Sequence, residues 1–140
     1  PASTSDLVDQ VNQSKEDKDD IQKNYEQFLT DSHHCVEDLM DGFVKDDVTK
    51  IKKMIRKNRT LLQNLAKATN VVIETPALKQ LCDLAENCGG AAKSSGAGGG
   101  DCGIVIADQK TGILPLMSKW EKADIIPLPL HVYHYRGGPK

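Results

Sequence analysis

No apolar run in these 140 residues approaches the roughly 20 needed to cross a bilayer, so they contain no candidate membrane-spanning helix. Neither sign of charge dominates: 18 Lys and Arg stand against 20 Asp and Glu. That balance provides no broad field to recruit nucleic acid or an anionic membrane, and any bound anion has to be held by local groups. Cysteine pairs with ligand spacing are also lacking. Cys35, Cys82, Cys88 and Cys102 form no C-x-x-C and no Cys/His zinc pattern. With no secretory leader in view, the expectation is reduced thiols and a cytoplasmic protein. The first residue is Pro1 rather than Met, from which the natural start is expected upstream. The length suits about one domain with a modest core.

What is present begins with helical periodicity. Ser3, Thr4 and Ser5 suit the cap of a short helix with Leu7, Val8 and Val11 on one face. Over residues 17–44, Ile21, Tyr25, Phe28, Cys35, Leu39 and Phe43 recur in steps of three and four, with Ser32 filling the gap, which predicts a long amphipathic helix. A second is predicted over 47–69, with Val48, Ile51, Ile55, Leu62 and Leu65 inward and "KKMIRKNR" (52–59) as a solvated face. The short break between them predicts an antiparallel hairpin. Thr75-Pro76 reads as an N-cap with proline at the first helical position. Leu78, Leu81, Cys82 and Ala85 continue that helix until Gly89-Gly90 ends it.

The period then changes. Residues 91–95 read as extended and "GIVIA" (103–107) as a buried strand. Residues 113–123 return to helical spacing with Leu116, Met117 and Trp120 on one side. "DIIPLPLHVYHY" then alternates as an edge strand limited by two prolines. The fold class is therefore α+β, a long helical hairpin followed by a small antiparallel sheet with a helix between its strands. Adjacent His33 and His34 lie on different helix faces and make a poor metal pair, and His131 and His134 lie on opposite faces of a strand.

Between the two strand-like segments, "KSSGAGGGD" concentrates glycine, the residue that loses most backbone freedom on folding. A nucleotide P-loop needs Lys-Ser or Lys-Thr after its last glycine and a helix beyond, and a dinucleotide fingerprint also needs strand, turn, then helix. Here a strand follows. Two readings stay open. Consecutive N–H groups of Gly96, Ala97, Gly98, Gly99 and Gly100 can form a backbone nest for phosphate oxygens, with hydroxyls from Ser94 and Ser95 and a charge from Lys93. Alternatively the glycines only let two strands pack closely. Lys93 is either a counter-charge or a solvated strand lysine. Asp101 either meets magnesium through water or closes an Asx turn. Cys102 is expected to pack as a small apolar residue.

"AKSSGAGGGDCGI" resembles the third motif of the GHMP kinases, which phosphorylate galactose, homoserine, mevalonate and phosphomevalonate. The Ser-Ser before the glycines is most similar to bacterial members acting on 5-phosphomevalonate, and "PASTSDLV" and "IIPLPLHVYHY" resemble segments of the same members. The resemblance implies a ferredoxin-like C-terminal domain over residues 1–140. Its partner would be an N-terminal half of the same enzyme carrying the ATP-wrapping motif, the catalytic Asp and the assisting Lys. It implies ATP and magnesium as cofactors and 5-phosphomevalonate as acceptor, giving the diphosphate for isoprenoid synthesis. No residue present here is assigned the catalytic role. The glycine loop is expected to hold the acceptor phosphate and the group in transit, and Ser3 or Ser5 either caps its helix or brings a hydroxyl to the substrate. Rival readings are another kinase of the family acting on mevalonate, a stand-alone anion-binding module, and a scaffold built on the helical hairpin.

Overall fold

The computed structural model describes residues 3–6, 18–96, 98–100, 102–128 and 130. Among the described residues, a helical turn at 4–6 is followed by α1 (Lys18–Val44), α2 (Val48–Thr69), α3 (Pro76–Asn87), β1 (Ala91–Ser94), β2 (Gly103–Ile106) and α4 (Ile113–Lys122). Helices α1 and α2 form the expected hairpin. Its turn holds Asp46 in the left-handed region (φ 51°), which aspartate tolerates better than most residues. Asp47 caps α2 by accepting from the Lys50 amide at 3.0 Å, and the Lys50 ammonium reaches back to Asp41 at 2.6 Å.

The inward stripe of α1 ends on Gly42, not on Phe43, which is 55% exposed. Gly42 stands where the helices come closest: a Cβ there would lie 3.1 Å from the Ile51 side chain. Val48, expected inside, is exposed at the hairpin's tip, while Met54 joins Ile51, Ile55 and Leu65 in the buried set. The Cys35 thiol donates to the Met54 carbonyl at 3.3 Å. Helix α2 ends on Asn70 in the left-handed conformation (φ 55°), a C-terminal device usually served by glycine. Val71 and Ile73 of the following linker are buried with Leu65 against Ile21, Tyr25 and Phe28 of α1.

Thr75 caps α3 through the Leu78 amide, with Pro76 at the start of the helix as predicted. Gly89 (φ 89°) closes it, its amide bonding Glu86 and that of Gly90 bonding Ala85. Strand β1 then packs against both α2 and α3, which is why Ala91 and Ala92 are small and fully buried. It pairs antiparallel with β2, Ala91 opposite Ile106 and Ser94 opposite Gly103. Both strands stop one residue short of expectation. Strand β2 is also less buried than predicted: Ile104 is 40% exposed, because the described sheet ends at this strand. Leu116 of α4 fills a second core with Cys82, Ala85 and Ala92, and the Trp120 indole donates to the Leu81 carbonyl at 3.3 Å. Met117, expected beside them, is exposed.

The alternating segment from Ile126 is not a strand over residues 125–128, where Pro127 can donate no ladder hydrogen bond. Helix α4 therefore follows both described strands. Apart from Leu130, the rest of that segment, with His131 and His134, lies outside the described residues, as do Leu7, Val8 and Val11. His33 and His34 are exposed, both near Glu37.

The 52–59 run is a solvated face only in part: Lys53, Arg56 and Lys57 are exposed, but three of its charges are paired across the fold. Lys52 pairs with Asp108 at 3.1 Å, Arg56 with Glu86 at 2.9 Å, and Arg59 with both Glu74 and Asp83. Charge type alone could not reveal this, because the partners come from three later parts of the chain. No described helix is long and apolar enough to cross a membrane.

Candidate functional site

The β1–β2 connection carries the glycine cluster. The Ser95 amide donates to the Cys102 carbonyl at 2.9 Å and extends the ladder by one bond, after which the chain leaves the sheet. Gly96, Gly98 and Gly99 all lie in the left-handed region (φ 63°, 72° and 68°), which a residue with a Cβ adopts only at a cost. Their surroundings differ. A Cβ on Gly96 would meet nothing within 4 Å, whereas one on Gly98 would lie 2.5 Å from the Ile73 side chain and 2.6 Å from its carbonyl oxygen. The Gly99 amide donates to that same carbonyl. The close approach implied by the glycines is thus made in part to the linker between α2 and α3.

The other loop donors are differently placed. The amides of Gly96, Gly98 and Gly100 make no hydrogen bond to another described residue. Ser95 is exposed at the head of the loop, while Ser94 is buried on β1. Lys93 is half-buried, and its ammonium donates to the Ser94 carbonyl at 2.7 Å. Burial holds its pKa below the usual lysine value, which corrects the solvated-strand alternative. Ala97 and Asp101 lie outside the described residues. At the N-terminus, Ser3 and Asp6 cap reciprocally: the Asp6 amide donates to Ser3 Oγ at 3.1 Å and the Ser3 amide to Asp6 Oδ2 at 3.0 Å. Ser5 Oγ is 2.8 Å from Ser3 Oγ, so the capping role of this segment is realised.

Beside the loop a groove of about 550 Å³ is walled by Leu78, Leu81, Val105, Trp120 and residues 124–128, with Gly100 and Cys102 on the loop side. Cys102 is exposed rather than packed. All four cysteines are free. Burial pushes the Cys82 thiol up to about 11 and raises that of Cys35 as well. Since the thiolate is the nucleophile, iodoacetamide at pH 8 is expected to label Cys102 first and to leave Cys82 and Cys35 unmodified in the folded protein. Peptide mapping checks the order, and early labelling of Cys82 would contradict the buried core.

Chemically the described part of the loop offers backbone donors and no general base. Such donors suit an anion whose charge is spread over several oxygens, because they need no reorganisation when that charge shifts. Among the described residues no three His, Cys, Asp or Glu side chains converge to hold a metal ion. The part that sequence reading missed is Ile73 as the loop's anchor. Its only local signal was the short apolar run Val71-Val72-Ile73 just before the Thr75 cap.

Residues 39–123 match the family model described as GHMP kinases C terminal. The chain is 38% identical over 132 residues to a phosphomevalonate kinase of Streptomyces sp. (strain CL190), covering 93% of this chain and 34% of that protein. It thus spans about a third of the length of that curated relative. Among solved structures, the Lin0012 protein of Listeria innocua superposes with a TM-score of 0.83 at 40% identity, covering 98% of this chain and 39% of that one. The Streptococcus pneumoniae phosphomevalonate kinase gives 0.68 at 28% identity, with 88% and 34% covered.

Proposed function

Because the chain belongs to the GHMP kinases and carries their C-terminal domain, we propose that its 140 residues form the C-terminal portion of a phosphomevalonate kinase. In this reading the complete enzyme transfers the γ-phosphoryl group of ATP to 5-phosphomevalonate, giving 5-diphosphomevalonate for isoprenoid synthesis in the cytoplasm. The glycine loop is the observation that carries it. Two phosphate-bearing substrates repel one another, and holding them together calls for positioning and electrostatic stabilisation more than for covalent chemistry.

Ser95 and the amides of Gly96, Gly98 and Gly100 are the donors best presented to the acceptor phosphate and the group in transit. Ala97 and Asp101 belong to the same loop. Lys93 and Ser94, set back on β1, support it from behind, and Lys93 adds positive charge at short range. Ser3 and Ser5 are proposed as further contacts to the acceptor, secondary to their cap. ATP is gripped chiefly by the N-terminal half of the enzyme, the partner this domain works with. The described residues do not fit a magnesium site, and the ion that accompanies ATP is assigned no ligand among them.

The test is ADP release from the full-length polypeptide with 5-phosphomevalonate and with mevalonate in parallel. Turnover on the first and none on the second is expected, and the reverse preference would move the protein to another branch of the family. The 140 residues alone are expected to be inactive; robust phosphotransfer by them would overturn the assignment of catalysis to the other half.

A further inference from the structure

The Gly99 amide and the Gly98 backbone both rest on Ile73, so the loop's position depends on how that linker residue is held. Its neighbour Glu74 is nearly buried, its side chain 12% exposed, and it is gripped by a fork. Arg59 Nη2 donates to Glu74 Oε1 at 2.7 Å and Arg59 Nε to Oε2 at 2.9 Å, while Gln63, one turn further along α2, reaches Oε2 at 3.4 Å. Arg59 is itself 13% exposed and also donates to Asp83 of α3 at 2.9 Å. One guanidinium therefore ties α2, the linker and α3 together directly beneath the residue that anchors the loop.

We infer that Arg59 and Glu74 are positioning residues for the glycine loop, fixing Ile73 so that the loop's free amides stay aimed at phosphate. Among the described residues, neither side chain hydrogen-bonds to the loop. Their effect passes through two peptide units, from Glu74 to Ile73 and across the hydrogen bond to Gly99. A bidentate pair suits this task, because a planar fork restrains orientation as well as distance, which a lysine in its place cannot do. Core packing of Ile73 against Val71 and Leu65 holds its side chain, and the ion pair restrains the backbone beside it. A displacement of about 1 Å in a positioning group can lower turnover by up to about 100-fold.

Glu74→Gln, which keeps shape but loses charge, and Arg59→Lys, which keeps charge but loses the fork, are the variants to make in the full-length polypeptide. Amide hydrogen exchange at Gly99, the loop amide bonded to Ile73, is expected to quicken about tenfold in both, with α1 and α2 as protected as in the parent. The kinetic arm rests on the kinase reading: kcat/KM for 5-phosphomevalonate should fall about tenfold, through kcat as well as KM. Unchanged loop exchange overturns the inference. So does an equal rise in α1 and α2, which would make the pair a general support of the fold. If Glu74→Gln does not fold, Arg59→Lys carries the same readouts. A parent protein inactive on 5-phosphomevalonate whose loop exchange still responds would defeat the kinase reading and leave the brace standing.

Discussion

Replacing Gly98 by alanine is expected to cost the full-length enzyme about 100-fold or more in turnover, and valine is expected to abolish it. Two independent effects combine. At φ 72° an L-residue carries a backbone cost of about 1–2 kcal/mol. The added Cβ would also lie 2.5–2.6 Å from Ile73 atoms, one of them a carbonyl oxygen. Ile73 cannot retreat, because it is 5% exposed and packed between Leu65 and Val71. The loop has to move instead, breaking the bond from the Gly99 amide and misplacing its donors. Gly96→Ala is the matched control: it shares the positive φ but meets open space, so only the backbone cost applies. Steady-state kinetics on the two variants, with thermal melts alongside, separate the contributions. Equal effects at the two positions would show that the Ile73 contact is unimportant.

Leu116→Ala should give a large loss of stability, about 3 kcal/mol, which for a domain of this size lowers the melting temperature by roughly 10 °C. Leu116 is 1% exposed and is the largest fully buried side chain, sealing Cys82 and Ala85 of α3 and Ala92 of β1 beneath α4. Those neighbours are themselves small, and their backbone is committed to a helix and a strand, so the site has little freedom to collapse around the cavity. Leu116→Met, which conserves volume, should cost less than about 1.5 kcal/mol. Scanning calorimetry distinguishes these outcomes. A shift of only one or two degrees for the alanine variant would mean that α4 contributes little to the cooperative unit.

The helices were legible because their signals are local. The three-and-four spacing of Ile21, Tyr25, Phe28, Cys35 and Leu39, the Thr75-Pro76 start and the Gly89-Gly90 stop are each read within a few residues, and all hold. The errors came where burial depends on a neighbour remote in sequence. Phe43 and Val48 are apolar, yet they sit at the helix ends beside the hairpin turn, where nothing described covers them. Met117 faces outward because Leu116 and Trp120 already occupy the contact with α3. The segment from Ile126 alternates like a strand but is not one over residues 125–128, since alternation alone does not supply a ladder partner.

The loop divides in the same way. Clustered glycines in a strand–loop–strand setting were enough to exclude the two familiar nucleotide folds and to require backbone in an unusual conformation, because φ preferences belong to the residue itself. Which atoms the loop approaches is a property of three-dimensional packing. Only the tertiary structure brought Ile73 against Gly98, made Arg59 the nearly buried partner of Glu74 and Asp83, and left Ser95 exposed while burying Ser94. The sequence by itself determined the helical hairpin, the glycine turn and the family likeness. The structure decided what the turn leans on, since an ion pair and a backbone contact depend on distances that chain spacing does not encode.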